Sequence, residues 1–109
     1  MTVSFSENTR QPVEGYHLLQ QATRQLEELM GALTEEVSAT WDRVQDARGR
    51  SVYRLVLSDS AAEASSTFTL GDLQSPGRRS RLLDLWGDFL QASSNERVKK
   101  LQELVAGGD

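Results

Sequence analysis

The chain has 109 residues, with 12 lysines and arginines against 16 acidic residues and no cysteine. That length holds one small core and not two, the missing thiols exclude disulfides, thiolate metal sites and thiol catalysis, and a net charge of −4 gives no general attraction to nucleic acid or an anionic membrane. Apolar runs such as RLVL and RLLDLW are interrupted far short of the roughly 20 residues that span a bilayer. The first residues lack the basic and apolar regions of a secretory signal, so a soluble cytoplasmic protein is expected.

Residues 1–11 are polar and read as a flexible N-terminal tail, with a single domain over 12–106. Beyond Pro12, apolar residues recur at spacings of three and four: Leu19, Ala22, Leu26, Leu29, Leu33, Val37, Trp41 and Val44. This is one face of an amphipathic helix, and the opposite face carries Gln20, Gln21, Arg24, Glu27, Glu28, Glu35 and Glu36. The expectation is one long helix, bent if anywhere at Gly31, and ended near Gly49 by a left-handed C-terminal cap.

Strand-like alternation follows in SVYRLVLS, with Tyr53, Leu55 and Leu57 on one side, and again in STFTL, with Phe68 and Leu70 together. The intervening DSAAEAS is too long for a two-residue turn, which predicts a hairpin with a longer loop. Gly71, Pro76 and Gly77 then punctuate the chain. Leu82, Leu83, Trp86, Phe89 and Leu90 form the densest helical stripe and predict the centre of the core. Ser93 with Glu96 three positions later reads as a capping box opening a last helix through Val98, Leu101, Leu104 and Val105. The predicted class is α+β, in the order helix, strand, strand, helix, helix.

Candidate chemistry is sparse. His17 is the sole histidine, and no serine elbow, calcium loop or glycine-rich phosphate loop accompanies it. The adjacent pairs Glu27–Glu28 and Glu35–Glu36 lie on the polar helix face, where solvated carboxylates are the ordinary case. These absences favour a protein that is not an enzyme and has no cofactor or metal. Charge is regional: residues 41–81 carry seven arginines, and Arg78, Arg79 and Arg81 sit at a helix start, where they oppose the macrodipole and form a candidate anion site.

A helix of thirty or so residues would run roughly 45 Å, longer than a globule of this size covers. Leu26, Leu29, Leu33 and Val37 are therefore expected to stay partly exposed and to form the contact of a homodimer. In composition the chain is similar to the type III secretion chaperones, acidic dimers that bind an unfolded partner segment. It shares no motif with them, so no residue role is carried over and no family is recognised. The expected function is a non-catalytic protein–protein interaction module, an adaptor, chaperone-like or regulatory subunit acting as a homodimer on another protein. The alternative is anion or nucleic-acid binding through the central arginines, although a nucleic-acid partner is disfavoured by the missing motif and by the acidic balance.

Overall fold

A computed structural model describes residues 1–31 and 36–107. Its elements are β1 (Thr2–Phe5), a 3₁₀ turn (Glu7–Thr9), α1 (Val13–Met30), β2 (Ser38–Gln45), β3 (Ser51–Ser58), β4 (Glu63–Phe68), α2 (Leu70–Gln74) and α3 (Arg78–Gly107). The strands form one sheet in the order β1-β2-β3-β4. β1 and β2 are parallel and are joined through α1, whereas β2, β3 and β4 are an antiparallel meander.

Three elements differ from the expectations. First, α1 stops at Met30, and Gly31 follows with φ of 60°, a left-handed conformation that glycine adopts without strain. Val37, Trp41 and Val44, expected on the same helix, lie at or in β2, where Ala39 and Trp41 face the core and Thr40 faces away. Second, part of the expected tail is β1, with Val3 paired to Ala39 and Phe5 to Trp41. The two-stranded hairpin is thereby the far half of a four-stranded sheet. Third, no helix break occurs at Ser93. α3 is continuous through it, and Ser93 is buried with its hydroxyl donating to Asp59. The separate short helix is α2 instead, opened by a reciprocal cap between Thr69 and Asp72.

The pairing of β3 with β4 is antiparallel, as alternation predicted, and the connecting loop is Asp59–Ala62. Leu70, expected beside Phe68, begins α2 and is exposed. Gly49 has the expected positive φ, but in the β2–β3 turn, where its amide donates to the Asp46 carbonyl.

One face of the sheet is apolar and covered. Register sets Val3, Ala39, Leu57 and Ala64 in one row, Phe5, Trp41, Leu55 and Ser66 in the next, and Tyr53 beside Phe68. Leu19, Ala22 and Leu26 of α1, Leu73 of α2, and Leu82, Leu85, Trp86 and Phe89 of α3 pack on it as one cluster. Trp41 and Phe68 meet at 5.6 Å, and Trp86 stacks on Phe89 at 5.7 Å. Gly15 lets the Tyr53 hydroxyl approach the α1 backbone, in space that a Cβ would occupy. The other face presents Thr2, Ser4, Thr40, Arg54, Ser65 and Thr67 to solvent, giving a two-layer fold with helices on one side only.

Candidate functional site

The expected dimer contact on α1 is internal. Leu26 and Val37 are buried and Leu29 is half-buried against the core cluster, while Leu33 lies outside the described residues. Because α1 ends at Met30, its stripe is short enough for the sheet and α3 to cover.

The arginines are likewise not a free cluster. Arg78 donates through Nε to Gln25 Oε1 at 2.9 Å on α1, and through Nη1 to the Leu73 carbonyl at 3.0 Å. Arg81 pairs with Asp72 at 2.7 Å, donates to the Thr67 carbonyl at 2.6 Å, and lies 4.9 Å from the centre of the Phe68 ring. Asp72 is in turn the acidic partner of the α2 cap, and the Thr69 amide, with Thr69 Oγ1 and Arg81 adding to it, holds its carboxyl below the ordinary range. Two of the three arginines thus fasten the α2–α3 corner to α1 and β4. Arg79 is exposed.

The surface feature that remains is on α3. Its buried residues, Leu82, Leu85, Trp86, Phe89 and Ser93, extend no further than the middle of the helix, and every described residue from Val98 to Ala106 is exposed. The second half projects from the body: the molecule measures 57 × 31 × 24 Å and its radius of gyration is 15.9 Å, against about 13 Å for a compact chain of about 100 residues.

The projecting half carries Val98, Leu101, Leu104 and Val105, from 50% to 77% exposed, and on the body half Leu83 and Leu90 are 46% and 40% exposed. These positions are not scattered. At about 100° per residue, Leu83, Gly87, Leu90, Ser94, Val98, Leu101 and Val105 fall within an arc of about 80°. That stripe lies about 120° round the helix from the core-facing side chains. Sequence periodicity could find the residues, but it could not separate the two faces, because Leu82, Leu83, Leu90 and Phe89 merge into one dense run.

Among the described residues no three His, Cys, Asp or Glu side chains gather in a metal-binding arrangement, and no helix is long and apolar enough to cross a membrane. His17 is exposed on α1. Comparison with protein-family models, with curated proteins and with solved structures finds no match for this chain.

Proposed function

We propose that the chain is a non-catalytic protein–protein interaction module that works as a homodimer, with the outer stripe of α3 as its contact face. The observation that carries this reading is the concentration of exposed large apolar side chains on one helix: among the described residues six of the eight belong to α3, and five of those six, all but Leu104, lie in the stripe. Apolar residues scattered singly over a surface need no partner, whereas a continuous stripe does. Stability points the same way. Of the roughly 14 residues after Ser93 none is buried, the ion pair of Arg97 with Asp59 ties only the first turn of them to the body, and an isolated helix of that length is marginal in water. A partner that covers the stripe supplies the packing the body does not.

Light scattering across micromolar concentrations tests the reading. The wild-type mass is expected to approach twice the 12.1 kDa of one chain, and Leu101→Glu with Val105→Glu is expected to return it to the monomer value with an unchanged near-ultraviolet spectrum. A monomer at every concentration would defeat the proposal. A dimer indifferent to the two glutamates would move the contact off α3.

A further inference from the structure

We infer that two copies of α3 pair antiparallel, with the two-fold axis passing beside Ser94; this rests on the reading of the α3 stripe as the dimer face.

The stripe is self-complementary when reversed. Set antiparallel about Ser94, Leu83 meets the partner's Val105, Gly87 meets the partner's Leu101, and Leu90 meets the partner's Val98. Ser94 meets its own copy on the axis, where two hydroxyls can share a hydrogen bond. Each large side chain then faces either a smaller apolar one or the gap over a glycine, as interdigitating helices require. A parallel pair in register does worse, because Gly87 would face Gly87, leaving a second layer of the seam, besides the Ser94 layer common to both arrangements, without apolar volume. Aligned macrodipoles also disfavour the parallel pair.

The repeat of the stripe suits a straight contact. Leu83, Ser94 and Val105 are spaced by eleven residues, as are Gly87 and Val98, and Leu90 and Leu101. An eleven-residue period stays close to the natural turn of the helix, so the seam does not wander off the contact line over its length of about 33 Å.

Gly87 is a second, independent pointer. A glycine in a helix interior costs about 1 kcal/mol relative to alanine, and here, apart from the backbone of its own helix turn, no atom of the described residues lies within 4 Å of the position a Cβ would take. Packing within the chain therefore gives no reason for it. The partner's Leu101 does, since it needs close approach at that turn. The arrangement also resolves the projection of α3. The exposed second half of one helix lies along the packed first half of the other, so each unsupported segment rests on a body rather than on another unsupported segment.

The chain has no cysteine, so single introduced thiols report contacts without background. Ser94→Cys is expected to oxidise to a covalent dimer as the major species. Leu83→Cys and Val105→Cys are each expected to stay largely uncoupled alone and to couple when the two proteins are mixed. Gly87→Leu, which raises helix propensity, is expected to leave the melt of the monomer intact while weakening association at least tenfold by light scattering.

Self-coupling of Val105→Cys with no coupling in the mixture would mean a parallel pair, overturning the inference while leaving the α3 dimer standing. A dimeric mass with no coupling at any of the three positions would overturn the inference and the α3 face together. Monomeric mass up to several hundred micromolar would end both this inference and the homodimer reading. Undiminished association of Gly87→Leu would also overturn the proposed seam. All four variants lie on the exposed side of α3, and circular dichroism verifies that each is folded.

Discussion

Asp59 shows how one side chain can tie a loop to a helix. Its Oδ1 accepts from the amides of Ala61 and Ala62 at 2.8 and 2.9 Å, and its Oδ2 accepts from the Ser93 hydroxyl at 2.8 Å and from Arg97 at 3.3 Å. Burial pushes its carboxyl up, but those donors outweigh burial and hold it below the ordinary carboxylate range. Asp42, held by the Ser6 hydroxyl, and Asp46, held first by the Arg50 amide, are depressed as well. A carboxyl depressed in the folded state stabilises the fold above its unfolded value of about 3.9, and that contribution is lost as pH falls through the folded value. Acid should therefore destabilise the protein below about pH 4. Asp59→Asn should lower stability at pH 7 by about 1 to 3 kcal/mol and shrink the difference between pH 7 and pH 3, as read by urea melts of both proteins at both pH values. Deeper in the core, Trp41 Nε1 donates to Thr23 Oγ1 at 3.0 Å, and that hydroxyl donates to the Leu19 carbonyl at 2.8 Å. Thr23→Val keeps the shape and orphans the buried indole N–H, so a loss of about 1 to 3 kcal/mol is expected in the same assay. An equal melt would mean that the indole finds another acceptor.

At the scale of elements, the arginines act as fasteners of the α2–α3 corner, and their charge reversal is not expected to be benign. Arg81→Glu places a carboxylate against Asp72 and removes the donor to Thr67, for an expected loss of about 1 to 2 kcal/mol, discounted for partial exposure. Arg79→Glu, at an exposed position near the helix start, should be neutral or slightly stabilising. Thermal melts of the two variants separate these outcomes, and equal melts would return Arg81 to the solvated surface. How far each element could be read in advance follows from its residues. β3 was legible because Tyr53, Leu55 and Leu57 alternate over a full strand, and the body half of α3 because Leu82, Trp86 and Phe89 repeat over two turns. β2 was not, because Val37 and Trp41 are four apart, a spacing that fits a helix turn and two strand repeats equally well. Trp41, Thr40 and Val44 do carry the aromatic and β-branched character of a strand. β1 has only four residues and is fixed by pairing with β2, which local pattern cannot reveal. Ser93 has the local signature of a cap, yet its hydroxyl is taken by Asp59, 34 positions earlier in the chain. The α3 stripe was visible as apolar residues, but which side of the helix faces the core depends on where the sheet lies.

For the molecule as a whole, the fold and the assembly should be coupled in a measurable way. The core of α1, sheet and first half of α3 is closed within one chain, so a monomer has a complete hydrophobic core and should fold by itself. Beyond the Arg97–Asp59 pair, α3 draws no such support from the body, and if a second copy covers this segment, binding to the folded state alone adds stability by mass action. The melting temperature of the wild type should then rise with protein concentration, by the increment set by the dissociation constant, and the helical signal at 222 nm should rise with it as the projecting segments stop fraying. A contact of one helix pair is at the small end of specific interfaces, which puts the transition in the micromolar range. Leu101→Glu with Val105→Glu should melt at one temperature regardless of concentration, equal to that of the dilute wild type, because the exposed positions contribute nothing to the core. Differential scanning calorimetry over a hundredfold range of concentration checks both proteins. A flat wild-type melting temperature would show that the stripe stays uncovered by its own kind, and a lower melt for the double variant than for dilute wild type would show that the projecting helix packs on the body.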